Sequence, residues 1–400
     1  MKIVKTFFIA VFTLVGVILI QSCSKPTNET NNKTKSLKGN GFYVVPNLKS
    51  QEEVDEFISY CKKLNVNKIF IETKDTKGKL LYPSKKFPVE ENMGDFNSYG
   101  AICKAAHKAN ISVHAWFVIF NEGYKEPVPI IKEHPEYLLV HKSGKTSAEQ
   151  PPWSTVKPEY ATNWVCPTAK GYRNYLKNMM QEVIDLYNVE GIHLDYIRYP
   201  EEVNAREYCY CDRCKALFKE NYGYTLPEND VIKNRYWVTQ MCNNVSNAVK
   251  DFAEFAHSKN KLISAYVFTD YTTAIEATYQ NWPWFSQYLD FIIPTSYEVS
   301  PEYIHTMAKM TKAVLNKNCM LFPTIYSAPL QRRSADGGNR WYKGEQKDVI
   351  DSFNAWLEEG VDGVIFFTYG HFMNTKYLPI EQRKKNVEEI TERSSKYFSK

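Results

Sequence analysis

The segment Glu190-Gly191-Ile192-His193-Leu194-Asp195-Tyr196-Ile197-Arg198-Tyr199-Pro200 holds the sharpest candidate for chemistry in the chain. In an extended backbone, alternation places Ile192 and Leu194 on one side and His193 and Asp195 on the other. An Asp that faces inward at a strand end is costly to bury unless it is paired or functional. Arg198, three residues on, offers a purely structural partner, and His193 reads as an orienting hydrogen-bond partner. Further polar and aromatic residues fall at or just beyond the ends of other short apolar runs. These are Glu72 and Lys74, His114 and Trp116, Asn121 and Glu122, Asp270, Tyr297 and Glu298, Tyr326, and Tyr369 with His371. Carboxylates converging on one mouth among aromatics suit acetal cleavage, in which one protonates the leaving oxygen and the other attacks or activates water. Asp195 is the expected nucleophile or charge-stabilising group. Glu298, Asp270 and Glu122 compete for the acid/base role, with Glu298 preferred. The other residues named are expected to contact substrate.

The elements that must position these groups recur along the chain. Strand candidates lie at 42–46, 68–72, 112–117, 191–195, 263–268, 291–296, 320–325 and 362–368. Every interval is long enough for at least one helix, so parallel strands with helical crossovers are expected. Ser50 reads as the N-cap of a helix from Gln51 to Leu64 with an acidic first turn. Residues 172–187 and 228–258 carry helical apolar periodicity. Eight such units predict a single α/β (β/α)8 TIM barrel over 41–400, with long loops after the third and fourth strands at the end where such barrels place chemistry. An open nucleotide-binding sheet is disfavoured, because Pro46-Asn47-Leu48 stands where a Gly-rich phosphate loop would be.

EGIHLDYIRYP resembles the fourth-strand signature of the bacterial glycosyl-hydrolase-like family 10, lipoproteins with a TIM-barrel glycosidase domain. ETKDTKGKLLYPS, VHAWF and QNWPWFSQYLDFIIPTSYE resemble the family's corresponding segments, and the likeness covers about 41–375. The resemblance implies hydrolysis of bacterial or complex glycans, including peptidoglycan strands, with the family's strand-end Asp falling on Asp195. It fixes no second carboxylate. Glu298 departs from the aromatic that often follows the Tyr of the sixth strand. The alternative is a glycan-binding lipoprotein that kept the barrel without catalysis. A metal-dependent deacetylase is a weaker idea, since the eight His are scattered.

Trp116, Trp153, Trp164 and Trp341 are candidate sugar-stacking platforms, and loop packing is the bland reading of each. Trp282 and Trp284 read as structural. Cys209-Tyr210-Cys211-Asp212-Arg213-Cys214 places three thiols in six residues. A disulfide, a structural zinc with a fourth ligand such as Cys166, and unpaired thiols all remain open, and no other cofactor is expected.

The N-terminus reads as an address. MKIVK precedes an apolar run from Phe7 to Ile20, short for a permanent span. Leu19-Ile20-Gln21-Ser22-Cys23 matches a lipobox, so 1–22 is expected to be a signal peptide, Cys23 the lipidated residue and 23–40 a polar tether. A lipid-anchored place in the cell envelope follows. Fifty Lys and Arg against 45 Asp and Glu give a net charge of only +5, too mild to argue for nucleic acid. An oligo- or polysaccharide is the expected partner and a monomer the expected state.

Overall fold

The apolar runs become nine parallel strands in the computed structural model of the protein, which describes residues 37–123, 127–151, 162–200, 207–225, 235–297, 299–329, 346 and 348–399. They are β1 (Asn40–Val44), β2 (Val66–Lys74), β3 (Ser112–Val118), β4 (Gly191–Asp195), β5 (Leu262–Val267), β6 (Phe291–Pro294), β7 (Met320–Leu321), β8 (Thr324–Tyr326) and β9 (Ile365–Phe367). Their order is β7-β6-β5-β4-β3-β2-β1-β9-β8. Only Phe322 and Pro323 separate β7 from β8, so the two ends of this order are one stave. Its main chain bonds both ways. Phe322 N–H donates to Ile292 O at 3.1 Å on one side, and Ile365 N–H donates to Pro323 O at 2.9 Å on the other. The sheet therefore closes on itself as a barrel. Pro323 has no N–H to give, so the ladder is interrupted there and the stave is two short strands where the sequence suggests one.

Strand alternation sorts the residues into two cores. Ile69, Ile71, Val113, Ala115, Ile192, Leu194, Ile263 and Ala265 are fully buried within the large apolar cluster that the helices complete. Inside the barrel, aromatic and imidazole rings fill the lower levels. Phe70 stands 4.9 Å from Tyr43, 5.2 Å from His114 and 4.9 Å from His193, centroid to centroid, and Phe291 packs on His114 and Phe322. Gly191 is required at this level, since a Cβ there would strike the His114 ring.

The expected helices form. Ser50 Oγ accepts from Glu53 N–H ahead of Gln51–Lys63. Lys170–Tyr187 buries Tyr172, Leu176, Met179, Met180 and Val183, and Arg235–Ser258 precedes β5. The long segments after β3 and β4 pair with each other. His141 forms a bridge with Tyr208, Tyr210 N–H donates to Val140 O at 2.8 Å, and Glu207 takes His141 and Lys142 at 3.0 and 2.6 Å. No helix among the described residues is long and apolar enough to cross a membrane. Residues 1–36, including Cys23, lie outside the described residues, as do Trp153, Glu298 and Trp341.

Candidate active site

β4 delivers Asp195 to the barrel mouth as alternation requires, directly above His193. Its Oδ2 accepts from Trp116 Nε1 at 3.0 Å, and its Oδ1 from the N–H of Tyr196 at 2.7 Å. Two N–H donors on one carboxyl favour its charged form. Tyr196 holds a left-handed backbone, φ 52°, which a bulky residue adopts only when its surroundings impose it. That turn aims the amide back at the carboxylate. Below, His193 bridges Tyr43 Oη (2.6 Å) and Ser264 Oγ (2.9 Å). Burial pulls its basicity well below the usual histidine range, so it is a neutral strut under Asp195. Burial, the Tyr266 hydroxyl and the Asp195 charge push the Tyr43 hydroxyl upward, so it keeps its proton.

Glu72 is the second inward carboxyl. Lys68, Phe70 and Glu72 alternate with Ile69 and Ile71 on β2, and Glu72 lies level with Trp116 of β3. Burial, then the nearby charges of Asp75 and Asp195, push its carboxyl up to about 8, with Lys77 opposing. The mouth thus holds one carboxyl that retains its proton at neutral pH beside one built to be an anion. Divided environments of this kind separate an acid from its charged partner.

Aromatic rings surround this pair. Tyr266 and Tyr297 share a hydroxyl contact, and Tyr297 packs on Tyr326 at 5.1 Å and on Phe367 at 5.0 Å. Tyr326 Oη meets His371 Nε2 at 3.3 Å, and the exposed Tyr377 borders His371. Arg198 lies over the faces of Tyr196, Trp164 and Phe268 at 4.6 to 5.8 Å.

Several residues expected at the site do other work. A register irregularity between Glu72 and Lys74 turns Lys74 out of the mouth, where it meets Glu122 at 2.5 Å with both side chains wholly buried. Lys74 also donates to Val118 O at 2.9 Å, so the pair anchors the start of the insertion and does not meet solvent-borne sugar. Asn121 is buried in that insertion and bridges Trp164 through its main chain. Asp270 is the N-cap of Tyr271–Thr278. It accepts from Thr273 N–H at 3.0 Å and Thr273 Oγ1 at 2.7 Å, so its carboxylate is engaged in capping that helix. His114 sits wholly buried in the lower barrel, drawn down to about 3 by burial and then by the Lys68 charge. Tyr369 packs among Phe57, Phe42 and Tyr60 behind β1. Trp116 and Trp164 are nearly enclosed and brace their neighbours, so neither presents an open stacking face. Trp282 is wholly buried, as a structural residue should be, while Trp284 is 38% exposed. Tyr43, Ser264, Tyr266 and Phe367 complete the site and were not anticipated. Alternation in Phe42-Tyr43-Val44 would have found the first of them.

Comparison with known proteins bears on the family and the fold. Residues 30–325 match the family described as Glycosyl hydrolase-like 10. The chain belongs to that family. No match was found among curated proteins. Among solved structures, this glycosyl hydrolase-like chain is similar to a β-galactosidase from the psychrophilic Marinomonas ef1 (TM-score 0.62, 11% identity, 89% of this chain and 59% of that one). It is also similar to a β-galactosidase from Bacillus circulans sp. alkalophilus (0.59, 13%, 90% and 56%). A third likeness is to the β-amylase catalytic domain from Paenibacillus polymyxa (0.57, 12%, 89% and 98%). The chain spans less than two thirds of either galactosidase. At these identities the likeness is one of fold.

Proposed function

We propose that the protein is a glycoside hydrolase in which Glu72 is the general acid and Asp195 its anionic partner. The observation that carries this reading is the pair itself: two inward carboxyls at the ends of β2 and β4, one holding its proton and one braced by two N–H donors. Glu72 passes its proton to the glycosidic oxygen as the C1–O bond breaks. Asp195 meets the positive charge that develops at C1, either by attack on that carbon or by stabilising it. Water then supplies the hydroxyl at C1, and its proton passes to a carboxylate of the pair. The tyrosines and His371 at the rim offer ring faces and hydroxyls to a pyranose. The substrate class is a bacterial or complex glycan, with peptidoglycan strands one example. The unassigned N-terminal residues carry the companion proposal of a lipid anchor at Cys23 in the cell envelope.

The purified protein is to be screened against peptidoglycan strands and host and plant glycans, with products identified by mass, alongside Asp195→Asn. Product formation by the parent and none by a folded Asp195→Asn supports the assignment. Equal turnover by both overturns it. The aromatic rim also suits plain glycan binding, and tight binding by the parent with no product on any glycan would favour that reading.

A further inference from the structure

Four thiols meet beside the site, where the insertions after β3 and β4 touch. Cys166, Cys209, Cys211 and Cys214 are all buried, and their sulfurs lie within 4.8 Å of one another. Cys166 Sγ is 3.5 Å from Cys214 Sγ and 3.8 Å from Cys211 Sγ. A disulfide needs about 2.05 Å between sulfurs. Four thiolates around one zinc ion, each at about 2.3 Å, stand about 3.8 Å apart on a tetrahedron. The observed spacing is that of ligands around a single ion, and it leaves no room for a polynuclear cluster.

The surroundings are built for negative sulfur. Val140 N–H points at Cys209 Sγ (3.4 Å), Asn244 Nδ2 at Cys214 Sγ (3.7 Å), and the Thr168 hydroxyl meets Cys166 Sγ (3.1 Å). Cys211 is the N-cap of Asp212–Tyr222 and Cys214 lies in its first turn, so the positive end of that helix faces the sulfurs. Arg213 is fixed by Glu136 O at 2.7 Å and Thr168 Oγ1 at 3.4 Å, and its Nη2 is buried without a hydrogen-bond partner. A cation held there offsets the double negative charge of a zinc tetrathiolate. Such outer donors are what metal sites use to hold ligand geometry.

We propose that Cys166, Cys209, Cys211 and Cys214 bind one structural zinc ion that fastens the insertion after β3 to the insertion after β4. Three ligands come from one insertion and the fourth from the other, so the ion acts as a cross-link. Trp164, two residues before Cys166, packs on Tyr196 at 5.7 Å. The ion therefore steadies the side of the mouth that carries the amide bonded to Asp195. This holds whether or not a sugar is cleaved.

The test is metal analysis of the purified full chain. One zinc per chain is expected, removable by a strong chelator and restored by Zn2+ at one equivalent. Co2+ in its place should give the visible bands of a tetrahedral thiolate site. Cys166→Ser and Cys214→Ser should each weaken Zn2+ binding at least hundredfold, and Asn244→Ala about tenfold. Chelated parent protein should be cut by protease within 127–225 while 38–118 stays intact, a measurement that stands if the Ser variants fail to fold. Absence of zinc uptake with all four thiols titrating freely overturns the site. So does a mass lower by two hydrogens per bridge, which would mean disulfides.

Discussion

Two titratable side chains, Glu72 and Lys74, leave β2 almost side by side and end in opposite situations. Glu72 turns into the mouth and faces Asp195, like toward like, with Lys77 as a distant moderating charge. Lys74, two residues on, turns the other way and meets Glu122, opposite toward opposite, in a dry pocket. The register irregularity at Thr73 separates them, and Thr73 is pinned there by Ile71 O and Tyr99 Oη at 2.9 and 2.8 Å. The lesson is that burial does not mark a working carboxyl. Burial pushes Glu122 upward too, with Lys74 opposing, so what sets Glu72 apart is its place at the mouth and its like-charged neighbours Asp75 and Asp195.

Mutations can break this contrast. Asp195→Asn should lower turnover about a thousandfold or more with little change in melting temperature. Glu72→Gln should cost roughly 10²- to 10⁴-fold on natural glycosides. On aryl glycosides with good leaving groups, which need no proton, the first step should largely survive, and the alkaline limb near pH 8 should vanish from the rate profile. Glu122→Gln should do the reverse, destabilising by about 3–5 kcal/mol in denaturant titration because Lys74 is left buried alone, with kcat per folded molecule preserved. If Glu122→Gln abolished turnover in a folded protein, the division drawn here would be wrong. Trp116→Phe removes one N–H from Asp195 and should lower kcat by about tenfold, the worth of a hydrogen bond to a charged group. The smallest effect concerns pH and stability. Folded Glu72 holds its proton to about 8, while the free carboxyl loses it near 4.5. The folded state binds the extra proton across that window, so stability falls as pH rises through it. Glu72→Gln should flatten that stretch of a melting-temperature profile.

The frame of the molecule was legible because barrel strands obey period two. All eight staves fall where the apolar runs place them, and His193 and Asp195 face inward for the reason alternation gives. Other features obey rules that cross segments. Nothing in Glu72-Thr73-Lys74 announces a register slip, so Lys74 reads as a mouth residue. Asp270 before Tyr271-Thr272-Thr273 carries a capping signal that strand-end logic overrode. Tyr369 opens a short helix, Tyr369–Met373, and follows that helix's packing, away from the site. Glu72 was visible as an inward carboxyl, but its retained proton depends on neighbours from β4 and the loop after β2. The thiol cluster is legible at three positions from spacing alone. The fourth, Cys166, is 43 residues upstream of Cys209, and only folding confirms it as a neighbour.

The two ends of the described chain meet at one pole of the barrel. Asn40 opens β1 there and its amide donates to Leu64 O and to Ser394 Oγ of the final helix, while Asn65 Nδ2 reaches Ser395. Parallel strands carry their last residues, and with them the carboxyl pair, to the other pole. The seam that closes the ring and the carboxyls at its mouth thus lie at opposite poles, so a change at Asn40 or Ser394 acts on closure of the barrel and not on the groups at the strand ends.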